Sequence, residues 1–300
     1  MSVDNDNINY ESLPEDSSLY AQLLAGAFAG IMEHSVMFPI DALKTRIQAN
    51  HMSTKLLSQI SKISASEGSF ALWKGVQSVI LGAGPAHAVY FGTYEFCKAH
   101  LIEKDKLHTH QPVKTAISGA MATIASDALL NPFDTIKQRM QLATRSKIWN
   151  TMKSIYKNEG FIAFYYSYPA TIAMNIPFTA LNFVVYESSI KLFNPTESYN
   201  PLIHCLSGGI SGALAAATTT PLDVIKTTLQ VRGSEKVQLQ VLRKADTFNK
   251  AAVAIYKIYG WKGFLKGLKP RVIASIPATA ISWTSYECAK HFLLPRHNGY

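Results

Sequence analysis

Three stretches of this chain, 76–94, 160–186 and 201–222, contain no Asp, Glu, Lys or Arg. Each could cross a hydrocarbon layer of about 30 Å as a helix rising about 1.5 Å per residue. Three further apolar spans carry isolated charges. Together they predict six long helices in pairs: a first helix near 19–48, 112–142 and 202–231, and a second near 77–100, 169–193 and 269–294. Small residues cluster within them, as in Gly26-Ala27-Phe28-Ala29-Gly30 and Gly208-Gly209-Ile210-Ser211-Gly212. Such clusters let helix backbones approach closely in lipid. The pattern predicts an all-α membrane protein.

The first helices share a motif: Pro39-Ile40-Asp41-Ala42-Leu43-Lys44-Thr45-Arg46, Pro132-Phe133-Asp134-Thr135-Ile136-Lys137-Gln138-Arg139 and Pro221-Leu222-Asp223-Val224-Ile225-Lys226-Thr227-Thr228. The prolines are 93 (132 − 39) and 89 (221 − 132) residues apart, and a glutamine follows at one offset in Gln48, Gln141 and Gln230. A period this long implies three copies of a supersecondary unit. Asp and Lys at i and i+3 share a helix face, and the proline can kink the helix and swing its end. The second helices repeat too. Each has a proline followed nine residues later by Tyr-Glu: Pro85 to Tyr94-Glu95, Pro177 to Tyr186-Glu187 and Pro277 to Tyr286-Glu287. Lysine follows that Glu by three at Lys98 and Lys290, whereas the second copy has Ile190 there.

These motifs resemble the signature of the mitochondrial carrier family, over roughly residues 19–294. The resemblance implies six transmembrane helices in three pseudo-threefold repeats, with short matrix helices, around one central substrate site. The expected division is an acidic disordered tail at 1–18 and repeats at 19–105, 106–198 and 199–294. It also implies a matrix gate of ion pairs, Asp41 with Lys137, Asp134 with Lys226 and Asp223 with Lys44, braced by Gln48, Gln141 and Gln230. A second gate on the cytoplasmic side would use Tyr94, Glu95, Lys98, Tyr186, Glu187, Tyr286, Glu287 and Lys290. Two opposed rings give a physical basis for alternating access. The Lys-Gly steps at Lys74-Gly75 and Lys266-Gly267, each ahead of a helix, would suit lipid phosphate, and cardiolipin is the ligand the resemblance implies.

Mean hydropathy is only +0.05, and the net charge is +9. The segments 51–75, 143–159 and 232–271 hold 3, 4 and 10 Lys or Arg, while 1–18 holds none. Basic loops stay on the side of synthesis or its matrix equivalent. The connectors are therefore expected in the matrix and both termini in the intermembrane space, in the mitochondrial inner membrane. The acidic tail is no cleavable signal. Basic residues beside membrane spans point to anionic lipid rather than nucleic acid. Cys97, Cys205 and Cys288 form no CxxC pair and predict neither a disulfide framework nor a zinc site. No nucleophile–base set or phosphate loop is visible, so an enzyme is not expected.

The threefold repeat is an internal control: residues that break the symmetry at cavity positions concern substrate. His34 aligns with Asp127 and Ala216, and His87 with Thr179 and Thr279. Gly82-Ala83 aligns with Met174-Asn175 and Ala274-Ser275, and His204 with Gln22 and Thr115. No Lys or Arg occurs in 18–43, 75–97, 115–136, 160–190, 192–225 or 272–289. The cavity is therefore expected to lack the cationic group that a nucleotide or carboxylate would need. It offers His34, His87, His204, Met174, Asn175 and Asp127, a donor set suited to a divalent transition metal. The stretches Met32-Glu33-His34-Ser35, Gly82–Phe91 and Met174-Asn175-Ile176-Pro177 resemble the mitoferrin subfamily, best matched to the fungal type. That resemblance implies import of ferrous iron for haem and iron–sulfur synthesis by a monomer without cofactor, with the three histidines as transient metal ligands. The residues themselves leave open another transition metal, a cationic metabolite in which Asp127 matters most, and a non-transporting scaffold.

Overall fold

The computed structural model describes residues 19–50, 56–101, 112–143, 147–193, 201–234, 237 and 240–293. Six long helices dominate: α1 (Leu19–Asn50), α3 (Val76–Leu101), α4 (Pro112–Leu142), α6 (Tyr168–Phe193), α7 (Pro201–Val231) and α10 (Leu268–Leu293). Their 26 to 32 residues correspond to about 39–48 Å of helix. Short helices α2 (Leu56–Glu67), α5 (Ile148–Glu159) and α9 (Phe248–Tyr259) connect the members of each pair. Each is followed by a 3₁₀ turn, at Ser69–Trp73, Phe161–Phe164 and Trp261–Leu265. Every regular element among the described residues is helical, as the sequence predicted. One element was not anticipated: α8 (Gln240–Lys244), in the longer connector of the third repeat.

The long helices pack in a closed ring. α3 lies against α4, α6 against α7 and α10 against α1, which joins successive repeats, and α10 also packs along α7 within the third repeat. Small residues set the close approaches. A Cβ on Gly82 would sit 2.8 Å from the Phe133 ring, and one on Gly209 would sit 2.8 Å from Ile276. All six helices run through their prolines without breaking.

Polarity is distributed inside out. Large apolar side chains face outward, with Leu192 and Leu202 each 74% exposed, which suits a lipid-facing surface and would be a liability in water. Thr45, Gln48, Asn131, Thr135, Gln141 and Ser211 are buried. The apolar clusters lie at the signature ends of the helices, where α1, α4 and α7 meet the short helices. Among the described residues only 202–231 is apolar enough to register as a span by hydropathy alone. The other long helices spend their polar faces on the interior.

Candidate functional site

The proline motifs bring the ends of α1, α4 and α7 together, and there the three expected ion pairs form. Lys137 Nζ lies 3.0 Å from Asp41, Lys226 Nζ 3.2 Å from Asp134, and Lys44 Nζ 2.8 Å from Asp223. Each pair joins two repeats, so the signature end is shut. The glutamines differ from one another. Gln48 Nε2 donates to Asp223 at 2.7 Å, as expected of a brace. Gln141 instead accepts from the Thr45 hydroxyl, and the Gln230 amide finds no hydrogen-bond partner among the described residues.

A second tier lies below the ring. Arg46 forks onto both oxygens of Glu67, at 3.0 and 2.8 Å, and its Nε donates to the Gln141 carbonyl of the next repeat. Arg139 does the same with Glu159 and the Gln230 carbonyl. Each arginine therefore clamps a long helix to its own short helix and stitches it to the neighbouring repeat. Burial alone would raise Glu67, but the Arg46 guanidinium and Lys74 hold it below the usual carboxylate range. In the third repeat both partners are absent: Thr228 replaces the arginine and, among the described residues, its hydroxyl donates to the Val224 carbonyl of its own helix, and Tyr259 replaces the glutamate. An apolar plug of Val224, Leu229, Val237, Leu242, Ala251 and Ile255 fastens α9 instead. Lys266 sits 3.3 Å from the Tyr259 ring centroid, and burial pushes it down to about 8. The clamp was missed in the sequence. Its signal was that the motif arginine and the glutamate before the turn glycine are present together twice and absent together once.

Above the ring lies a cavity of about 490 Å³, lined among others by Asp41, Lys44, Asn182, Tyr186, Arg271 and Thr279. Arg271 corrects the expectation of a cavity without cations. It was counted with the basic connector 232–271, yet it falls inside the helix expected from 269, and α10 carries it inward. Its Nη1 lies 3.5 Å from Asp223 and its Nη2 donates to the Thr219 hydroxyl at 3.2 Å.

Of the expected substrate residues, the structure joins two: Asn175 Nδ2 donates to Asp127 Oδ2 at 2.5 Å. Among the described residues Asp127 enters no ion pair. Met174 is half-buried beside them, and His87 is exposed on α3. His204 is not an open ligand. It is 9% exposed, and its Nδ1 meets the Tyr186 hydroxyl at 2.9 Å, because α6 and α7 pack face to face there. No three His, Cys, Asp or Glu side chains converge among the described residues. The side chain of His34 lies outside the described residues, as do those of Glu95, Tyr286, Glu287 and Lys290 at the far end. Of the rest of that group, Lys98 lies 5.8 Å from the Tyr94 ring centroid, Tyr186 meets His204, and Glu187 is exposed.

Comparison with known proteins gives one family, described as mitochondrial carrier protein, matching three times, over residues 15–105, 108–196 and 197–297. The mitochondrial RNA-splicing protein MRS4 of Saccharomyces cerevisiae is 69% identical over 293 residues, covering 96% of both chains. MRS3 of the same yeast is 70% identical over 290 residues, covering 95% of this chain and 92% of its own. Human mitoferrin-1 is 41% identical over 299 residues, 96% of this chain and 88% of its own.

Proposed function

Since the chain belongs to the mitochondrial carrier family, and so to the transporters of the inner membrane rather than to enzymes, we propose that it imports ferrous iron into the matrix by alternating access. The signature-end ring is the matrix gate in this reading, and both termini face the intermembrane space. The observation that carries it is Asp127, a carboxylate held by Asn175 and in no ion pair among the described residues. A carboxylate so placed attracts a divalent cation. Similarity to the mitoferrins along nearly the whole chain supports iron as that cation. His87 and His34 supply further weak donors on the path. His204 acts through Tyr186, steadying the tyrosine at the cavity's upper wall. Lipid phosphate at the turns Lys74-Gly75 and Lys266-Gly267 belongs to the same proposal; both glycines have positive φ, 97° and 81°, which turns the backbone into the following helix.

A second reading, a chelated metal or an organic cation, is favoured by size. A shell of about six waters at roughly 30 Å³ each needs about 180 Å³, against a cavity of about 490 Å³. Uptake into proteoliposomes with Fe2+, Mn2+, Cu+, Zn2+, chelated iron and nucleotides separates the two. Saturable uptake of unchelated Fe2+ supports the first reading; uptake only of chelates or organic cations overturns it in favour of the second.

A further inference from the structure

We propose that Arg271 is the stand-in partner of Asp223, taking the carboxylate over from Lys44 when the signature-end ring opens. All three ring pairs join different repeats, so opening separates every lysine from its aspartate. The cost of that separation falls unequally. The side chains of Asp41 and Asp134 are 38% and 25% exposed and can take up water, whereas that of Asp223 is 6% exposed. A buried carboxylate without a partner is strongly unfavourable.

Arg271 meets that need by its position. It belongs to the same repeat as Asp223, on α10 packed against α7, so a movement of the repeats as units carries the two together while Lys44 and Gln48 depart with repeat 1. Thr219, also on α7, already holds one arm of the guanidinium at 3.2 Å. A second nitrogen, Nη1, is buried 3.5 Å from Asp223 and makes no hydrogen bond among the described residues. In the closed ring it is an off-distance third neighbour of a carboxylate already served by Lys44 and Gln48. Their withdrawal leaves Asp223 to this donor. The other repeats have nothing comparable. Six residues before the second-helix proline, where Arg271 precedes Pro277, stand Val79 and Thr171. The seam between repeats 3 and 1 is also the one without an arginine stitch, since Thr228 bonds its own helix where Arg46 and Arg139 reach the next repeat.

The inference rests on the alternating-access reading but not on iron. Its test uses the full chain in oriented proteoliposomes, with Cys97, Cys205 and Cys288 replaced by Ala and the cavity-lining, half-buried Asn182→Cys as reporter. A membrane-impermeant maleimide added on the signature side labels that position only when the ring opens. Arg271→Gln should slow signature-side labelling by at least about tenfold, leave far-side labelling intact, and be rescued by Arg271→Lys. In an Asp223→Asn background, where no charge is stranded, Arg271→Gln should have no effect on the rate. Equal slowing in both backgrounds, or no slowing in either, overturns the proposal. So does a parent protein that labels only from the far side. Failure of iron uptake with the labelling pattern intact would sink the cargo reading alone.

Discussion

Reversing one charge in the ring should jam the transport cycle, and reversing its partner should release it. Lys226 and Asp134 stand 3.2 Å apart with side chains 14% and 25% exposed, so an effective dielectric near 20 gives an attraction of about 5 kcal/mol. Losing one partner of a buried pair costs about 3–5 kcal/mol, and the partial exposure here brings the expectation to about 2–4 kcal/mol. Asp134→Lys adds repulsion to that loss. A bias of about 3 kcal/mol moves a two-state ring by about 150-fold, enough to hold it open. Cation uptake should fall to near background while insertion and thermal unfolding stay close to wild type. Asp134→Asn, which removes the charge without reversing it, should be the milder lesion. Adding Lys226→Asp to Asp134→Lys should restore a measurable fraction of uptake. Because the pair is partly shielded, raising salt should rescue the single variant poorly. A double variant that is folded and inserted yet transports no better than either single variant would refute the pairing argument.

Asp127→Asn should reduce cation uptake at least several-fold, and Asn175→Ala less, since Asn175 only orients the carboxylate; unchanged uptake in Asp127→Asn makes that residue packing. His204→Ala and Tyr186→Phe should impair uptake to similar extents, whereas Cys205→Ala should be nearly silent; a lesion from His204→Ala that Tyr186→Phe does not share would make His204 a direct metal ligand. Lys266 is depressed to about 8, so folding disfavours its charged form, a cost fully present below about 8 and relieved as pH rises toward the ordinary value of about 10.4. The solubilised protein should therefore gain thermal stability between about pH 8 and 10, and Lys266→Met should flatten that rise. Thr228→Arg alone buries an unmatched guanidinium and should destabilise by about 1–3 kcal/mol; combined with Tyr259→Glu it should instead supply a third clamp and slow ring opening, read as a higher unfolding temperature with lower uptake.

The fold was legible because its causes are periodic. The charge-free runs, the paired prolines and the triplicated Asp–Lys spacing located all six long helices to within a few residues, and the same spacing paired the ring. The features that stayed hidden depend on where an element begins or on who faces whom. Arg271 was counted with the basic connector 232–271 although it falls inside the helix expected from 269; what the sequence did not show is that it faces Asp223 and Thr219. His204 and Tyr186 are 18 residues apart on different helices, and no local pattern announces their contact. The Arg46–Glu67 and Arg139–Glu159 clamps required reading two positions of each repeat together. α8 is a five-residue helix that places one side chain, Leu242, in the apolar plug.

How often a feature recurs among the repeats sorts it by mechanical role. A ring that must close on an axis needs a residue from every repeat, and the Asp–Lys pairs occur three times. A clamp within one repeat is under no such constraint, and it occurs twice, leaving the seam between repeats 3 and 1 without an arginine stitch. That seam also holds the most buried ring carboxylate and the added cation on α10. The coincidence has a physical logic. A machine with three equally strong seams would have to break all of them at once, at a cost near the sum of the three. At the seam between repeats 3 and 1 the arginine stitch is missing but Gln48 braces the pair, and on the proposed reading Arg271 lowers the cost of parting it by travelling with the stranded carboxylate.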